Sequence, residues 1–117
     1  MTESLRVGAD LRVPSLRVVR VGRHDVSRST STGQPDIWTF LDFEAPDDVA
    51  DELAEALTEI LTSDQGWYAD FRVGDDHVIV FSGRVFRYAK GDDAGRDAAV
   101  NYGRTVGVPE HQLDWGE

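Results

Sequence analysis

The sequence predicts an α+β domain with a mostly antiparallel sheet of about five strands and two helices packed on one face of that sheet. Three observations predict this class. A helical hydrophobic period spans residues 46–63, alternating or continuously apolar runs lie on both sides of it, and a second helical stretch precedes the end of the chain. The elements therefore follow one another in the order ββαβββα.

Residues 1–14 are predicted to form a flexible N-terminal arm that contains arginine, because Gly8 and Pro14 interrupt this stretch. A first strand is expected from Leu16 to Val21, with arginines that discourage its edge from pairing with other chains. Residues 15–117 then form a single α+β domain. The polar run Ser27–Gln34 has no period and predicts a loop.

The strand predicted over Ile37–Glu44 begins with apolar residues on both faces, as central strands do, and it leads directly into the first helix. One side of that helix is an apolar stripe that must reach a core: Val49, Leu53, Ala56, Leu57, Ile60 and Leu61. The other side is acidic, and no Lys or Arg occurs between Asp42 and Phe71: Asp47, Asp48, Asp51, Glu52, Glu55 and Glu59. Repulsion between neighbouring carboxylates costs about 0.2–0.5 kcal/mol per pair, so packing of the stripe must outweigh about 1–3 kcal/mol.

Three strands are predicted after the acidic helix, over Trp67–Val73, His77–Phe81 and Arg84–Ala89. Gly74, Asp75 and Asp76 indicate a hairpin turn. Ser82 and Gly83 allow either a second turn or a bulge within one long strand, and the turn is slightly favoured. The last helix is expected to start at a cap formed by Asp92 or Asp93 and to run to Val106. Leu113 and Trp115 of the tail are expected to dock on the body.

The net charge of −10 is unevenly distributed. Residues 1–36 hold six bases and four acids, residues 37–76 hold one base and twelve acids, and residues 77–117 hold five bases and six acids. The middle third is therefore the negative pole. The electrostatic field of such a negative segment repels nucleic acid phosphates and speeds association with basic proteins. We therefore expect a basic protein partner and no nucleic acid.

The composition also bears on location and source. Cysteine is absent, so a disulfide, a thiolate metal site and a cysteine nucleophile are excluded, and a cytoplasmic location is expected. No apolar run has the length of a membrane span or the form of a signal peptide, so no membrane association is expected. Eleven arginines against the single Lys90 are typical of a high-GC genome, which suggests a bacterial source.

Each of the three histidines has a carboxylate close by in the sequence, as a general base or a hard-metal site requires: His24 with Asp25, His77 with Asp75 and Asp76, and His111 with Asp114. None of these spacings matches a known catalytic or metal-binding signature. We therefore expect no catalytic residue, no metal and no cofactor. An alternative stays open, in which the chain is a small ligand-binding domain or an enzyme that uses His77 or His111.

From Pro46 to Gly107 the predicted order of helix, three strands and helix resembles the topology of the double-stranded-RNA-binding domain. That family begins its last helix with lysines that reach phosphates across a groove. This chain instead has acids and one arginine there: Asp92, Asp93, Arg96 and Asp97. The resemblance therefore concerns topology and does not imply RNA binding.

A second candidate surface combines aromatic and arginine side chains on an open sheet face, a mixture that protein interfaces favour: Tyr68, Tyr88, Arg72, Arg84 and Arg87. Ordinary cross-strand packing explains the same residues. Together with the acidic helix, this surface gives the predicted partner-binding set: Asp48, Asp51, Glu52, Glu55, Glu59, Tyr68, Arg72, Arg87 and Tyr88.

The leading hypothesis is an acidic, non-enzymatic protein-binding module, such as an inhibitor or immunity-type protein for a basic nuclease, toxin or DNA-binding protein. It depends on the acidic helix face remaining free. A competing arrangement, in which an early arginine lies on that face, involves Arg12, Arg17, Arg20 or Arg23. A homodimer through the edge of the first strand also stays open.

Overall fold

The structure is a computed structural model that describes residues 1–30 and 32–115. Ser31 of the predicted loop, and Gly116 and Glu117 of the predicted tail, lie outside the described residues. The strands are β1 Arg17–Asp25, β2 Ile37–Glu44, β3 Ala69–Val73, β4 Asp76–Phe81 and β5 Arg84–Ala89, and the helices are α1 Ala50–Ile60 and α2 Asp93–Thr105. Short 3-10 helices cover Thr2–Ser4, Asp47–Val49 and Glu110–Gln112. The α+β class and the order ββαβββα are confirmed.

The five strands form two antiparallel sheets, whereas the sequence predicted one. Strands β1 and β2 form a two-stranded ribbon, and β3, β4 and β5 form a three-stranded sheet with β4 in the centre. The ring of Trp38 in β2 lies 4.8 Å from that of Trp67, which precedes β3. This aromatic contact fixes the ribbon to the body without any backbone ladder between β2 and β3.

The two helices lie on opposite faces of the three-stranded sheet, and the prediction that both cover one face is only roughly matched. Val78 and Val80 of β4 pack in one core cluster with Leu53, Leu57 and Ile60 of α1. Ile79 and Phe81 point to the other face, where they pack with Ala99 and Val100 of α2. The physical reason is that every residue from His77 to Phe81 is buried, so both faces of this strand need a cover.

Helix α1 buries the predicted apolar stripe. Leu53, Leu57, Ile60 and Leu61 are buried, while Val49 and Ala56 are half-buried beside them. Full burial of one such side chain contributes about 1.5–3 kcal/mol. Three of them outweigh the repulsion on the acidic face, which explains why a helix with so many like charges is stable. Its first turn, Asp47–Val49, is a 3-10 helix, and the α-helix begins at Ala50.

The N-terminal segment, residues 1–14, lies against the body and is not an extended arm. The backbone N–H of Arg6 donates to the carbonyl of Ile60 at 2.7 Å, and that of Thr62 donates to the carbonyl of Ser4 at 2.8 Å. Val13 is buried in the same core cluster as the stripe of α1. The hydrophobic residues of this segment have no period, which is why the sequence alone did not indicate their burial.

The remaining predicted boundaries are close to those observed. Gly83 has φ +75°, and Phe81 pairs with Arg84 across it, so a turn separates β4 from β5. The Asp92 carboxylate accepts a hydrogen bond from the backbone N–H of Gly95 at 3.0 Å and caps α2. In the tail, Leu113 and Trp115 are buried against α2 and β4, as predicted. In the described part of the chain, neither helix is long and apolar enough to cross a membrane.

Candidate functional site

The acidic face of α1 and its 3-10 turn is exposed. Its members are Asp47, Asp48, Asp51, Glu52, Glu55 and Glu59, all of which are exposed. The burial of the apolar stripe fixes this orientation, because the acidic residues occupy the opposite side of the helix. The side chain of Asp51 is 97% exposed. We call these six residues the acidic face.

The early arginines do not lie on the acidic face. Antiparallel pairing of β1 with β2 places Arg17 beside Glu44 and Arg20 beside Asp42, each pair at 2.6 Å. Arg23 in turn donates to the hydroxyl of Thr39. Each of the three arginines of β1 is therefore occupied by a polar residue of β2, and Arg12 lies 3.4 Å from Asp10. The arrangement in which early arginines neutralise the helix is not present among the described residues.

Only one basic side chain approaches a carboxylate of the acidic face within the described residues. The Arg87 guanidinium lies 2.8 Å from Asp76 and 3.4 Å from Asp51. Its hydrogen bond to Asp76 raises the pKa of Arg87 above its ordinary value. Arg6 donates to the backbone carbonyl of Glu59 and not to its carboxylate. The five other carboxylates of the face have no base within ion-pair distance in residues 1–30 and 32–115: Asp47, Asp48, Glu52, Glu55 and Glu59.

The predicted aromatic and arginine surface is not a single surface. Cross-strand pairing puts Tyr88 on the α2 side of the sheet beside His77, where it is only 3% exposed. Arg87, one residue earlier, points to the α1 side. Tyr68 is half-buried, and its hydroxyl donates to the carbonyl of Gln112 at 3.1 Å. Arg72 is exposed. The prediction assumed one open sheet face, and α2 covers the part that contains Tyr88.

The histidines do not form one site. His77 is 3% exposed, with its Nε2 2.7 Å from a carboxylate oxygen of Asp70 and its Nδ1 3.2 Å from the hydroxyl of Tyr88. His111 is exposed, and its Nε2 lies 2.8 Å from the carbonyl oxygen of Ser29. His24 is exposed in β1, beside the ring of Phe40. No group of three or more metal-ligating side chains occurs in the described part of the chain.

The contact of His77 with Asp70 was missed in the sequence because it depends on strand register. The carboxylates predicted beside His77 were those of Asp75 and Asp76, its neighbours in the chain. The β3–β4 register instead places Asp70, seven residues away, on the same face of the sheet. The hairpin signal at Gly74 and Asp75, read with strict alternation on both strands, would have indicated this pair.

A groove lies between the two sheets. Strands β2 and β3 form two of its walls, and the N-terminal segment forms part of a third through Met1, Thr2, Ser4, Leu5 and Leu11. Leu57 and Leu61 contribute to its apolar lining. Its volume is 560 Å³, and a smaller cavity of 270 Å³ shares Phe43 and Phe71 with it. We call the two cavities together the interstrand groove. No sequence pattern predicted it, because it exists only where the five strands divide into two sheets.

Comparison of the chain with protein-family models, with curated proteins and with solved structures finds no match. The likeness to the double-stranded-RNA-binding domain therefore stays a likeness of element order alone.

Two surfaces have chemistry that could bind a partner. The acidic face offers several unpaired carboxylates on a rigid helix, which suits guanidinium or ammonium groups. The interstrand groove offers aromatic and aliphatic side chains between two strand edges, in the size range of ligand sites. His77 and His111, the residues of the enzyme alternative, line neither of these two cavities.

Proposed function

We propose that this chain is a non-enzymatic module that binds a basic protein, with the acidic face of α1 as its docking surface. An inhibitor or immunity-type protein for a basic nuclease, toxin or DNA-binding protein is the concrete form, acting in the cytoplasm. The observation that supports it most is that Asp48, Glu52, Glu55 and Glu59 are exposed while the nearby arginines bind β2. Carboxylates held on a rigid helix are already ordered before a partner arrives.

The charge distribution supports the same proposal. Residues 37–76 have a net charge of −11, from one base and twelve acids, and the acidic face lies at the centre of this segment. A field of this kind accelerates encounter with a basic surface and repels acidic competitors. The association rate should therefore depend strongly on salt, while partner identity depends on the shape around the helix.

The test compares two double variants with equal change in net charge. Glu55→Gln with Glu59→Gln removes two unpaired carboxylates from the acidic face. Asp75→Asn with Asp97→Asn is the matched control, since both residues are exposed and outside that face. We expect quantitative pull-downs from the source cell to lose the partner with the first variant and retain it with the control.

The binding constant of the recovered partner is then measured against salt. A decrease in affinity of at least about 10-fold for the first variant, with a steep salt dependence for the unmodified chain, is expected. Equal affinity for all three proteins, or binding that does not change with ionic strength, would exclude the acidic face as the docking surface.

A further inference from the structure

The larger cavity of the interstrand groove, with its volume of 560 Å³, lies in the size range of small-molecule sites. The N-terminal segment already covers the β2 edge of this cavity, where the carboxylate of Glu3 accepts a hydrogen bond from the backbone N–H of Thr39 at 2.7 Å. Strand β3 borders the cavity as well, and Leu57 and Leu61 add apolar surface. Because four parts of the chain wall the larger cavity, it suits a small molecule and not an added strand.

Aromatic side chains make up much of the lining of the larger cavity. Trp38 and Trp67 are buried, and their rings lie 4.8 Å apart at an angle of 54°. Aromatic rings attract one another most in offset or edge-to-face arrangements, and a cavity whose rings are set at different angles offers both. Four further aromatic lining residues are half-buried, so part of their surface is accessible: Phe40, Phe43, Tyr68 and Phe71. This lining favours an aromatic ligand.

The charged groups of the larger cavity already have partners. Among the described residues, its lining contains two carboxylates, those of Asp42 and Asp70. Asp42 lies 2.6 Å from Nε of Arg20, and Asp70 lies 2.7 Å from Nε2 of His77. The α-amino group of Met1 also has the charge of Asp42 near it. A cationic ligand is therefore not needed to balance the lining, and an anionic one would meet two carboxylates. The charges favour a neutral ligand.

The indole N–H of Trp67 is a hydrogen-bond donor with no acceptor in residues 1–30 and 32–115. The other tryptophan of the lining, Trp38, donates its Nε1–H to the carbonyl of Pro35 at 2.7 Å. Trp67 is only 4% exposed, yet its Nε1 atom is not sealed from solvent, in contrast to that of Trp115. Buried tryptophans usually have a partner for this group. Because Trp67 lines the larger cavity, its N–H is available to a molecule bound there.

We infer that the larger cavity binds a neutral aromatic molecule that carries a hydrogen-bond acceptor, such as a carbonyl oxygen or a ring nitrogen. The rings of the ligand pack against the aromatic lining, and its acceptor receives the hydrogen bond of the Trp67 N–H. This inference goes beyond the proposed function, because no residue of the acidic face lines the larger cavity.

Three naphthalenes of similar shape test the inference with ¹⁵N-labelled protein. The ketone 2-acetylnaphthalene is neutral and has an acceptor, 2-ethylnaphthalene lacks the acceptor, and 2-naphthoate is charged. We expect the ketone to move the indole N–H resonance of Trp67 downfield, while those of Trp38 and Trp115 change much less. The hydrocarbon should not cause this downfield shift, because it has no oxygen to accept the hydrogen bond. An unmoved Trp67 resonance with the ketone at its solubility limit would overturn the inference.

The affinities of the three probes give a second measurement. Trp67→Phe removes the N–H, so the preference for the ketone over the hydrocarbon should decrease by about 3-fold to 10-fold. Comparing preferences cancels the difference in hydration between the two probes. The naphthoate should bind at least about 10-fold more weakly than the ketone, because its carboxylate meets Asp42 and Asp70. An unchanged preference in Trp67→Phe, or equal binding of the naphthoate, would show that the assigned ligand class is wrong.

Phe40 and Phe86 provide a matched pair of aromatic truncations. Both are half-buried, but only Phe40 lines the larger cavity. Phe40→Ala should weaken binding of the ketone at least about 5-fold, and Phe86→Ala should leave it unchanged. Circular dichroism and thermal unfolding verify that each variant is folded. If one of them, or Trp67→Phe, does not fold, the shift of the Trp67 resonance in the unmodified protein decides.

The ligand site and the acidic face can fail separately. Glu55→Gln with Glu59→Gln should bind the ketone as the unmodified chain does, since neither residue lines the larger cavity. Ketone binding without any effect of these helix variants on the natural partner would support the ligand site and remove the acidic face. Absence of ketone binding, with partner binding lost in the helix variants, would remove the ligand site and leave the proposed function in place.

Discussion

At the scale of single residues, several buried polar groups are paired by partners distant in sequence. Tyr88 is buried beside His77, and His77 contacts Asp70 at the exposed end of the same chain of hydrogen bonds. Tyr68 is likewise held by the carbonyl of Gln112. Such contacts keep polar atoms satisfied inside the protein, where an unpaired group costs about 1–3 kcal/mol. They also explain why these tyrosines are not free to contact a partner.

Burial of two tyrosines predicts a loss of stability at alkaline pH. Burial raises the pKa of Tyr68 and of Tyr88 above the ordinary value of 10.0, so the folded state holds protons that the unfolded chain releases. Their contribution is fully present below pH 10 and is lost as the pH rises further. Urea unfolding from about pH 8 to about pH 11 should show this decrease, and Tyr88→Phe should reduce it. A stability that stays constant over this range would contradict the assignment.

Substitution of Gly103 should change stability in the direction opposite to that expected from helix propensity. A Cβ at this position in α2 would lie 2.8 Å from Cδ2 of Leu113, in the docked tail. Gly103→Ala should therefore lower the free energy of unfolding by about 1–3 kcal/mol, although alanine favours helices. The control is Ala98→Gly, at an exposed position of α2, where only the propensity loss of about 1 kcal/mol is expected. Stabilisation by Gly103→Ala in thermal or urea unfolding would show that the tail does not pack against the helix.

At the scale of elements, the sequence predicted each helix and strand because each has a local signal. The stripe of α1, the alternation of β3 and the hairpin turn at Gly74 are readable within a few residues. Strand β1 runs to Asp25, beyond the predicted end at Val21, because its pairing with β2 supplies hydrogen bonds that no local pattern shows. The N-terminal segment has no such pattern, and its burial depends wholly on the core that it covers.

The docking of the N-terminal segment can be tested with two valines of that segment. Val13 is 8% exposed in the α1 core cluster, and Val7 is 106% exposed. Val13→Ala should lower the free energy of unfolding by about 1–3 kcal/mol, because it removes two buried methyl groups and leaves a cavity. Val7→Ala should change it by less than about 0.5 kcal/mol. Equal effects in urea unfolding would indicate that residues 1–14 do not pack on the body.

At the scale of the whole molecule, the acidic surface and the exposed hydrophobic surface lie on different elements. The acidic face lies on α1, whereas arginines follow β1, and the β1–β2 ribbon exposes much of the protein's large hydrophobic surface. Val18, Val19, Val21, Ile37 and Leu41 are each 40–66% exposed. A two-stranded ribbon of this kind is a candidate for association with other chains. The edge of β1 nevertheless has two features that oppose pairing: its arginines and the bulge between Val18 and Arg20.

The exposed hydrophobic residues of the ribbon and the arginines of β1 have opposite effects on association. We therefore predict a monomer that self-associates when the arginines are removed. We expect light scattering to give a single-chain mass for the unmodified protein at NMR concentrations. Arg20→Thr with Arg23→Thr should produce a concentration-dependent increase in mass, because it leaves residues 18–23 of the edge uncharged and mostly β-branched. Replacement of Arg104 and Lys90, which lie outside the ribbon, should not do so. A dimeric unmodified protein would instead support the homodimer through β1.

The sequence by itself determined the class, the number and order of the elements, the two faces of α1 and the acidic middle third, because these properties are local or additive along the chain. Tertiary structure decided how the strands divide, on which side of β4 each helix lies, and which base meets which acid. Those outcomes depend on register and on burial of both faces of one strand, which connect residues far apart in sequence. The acidic face could therefore be named in advance, whereas the interstrand groove could not.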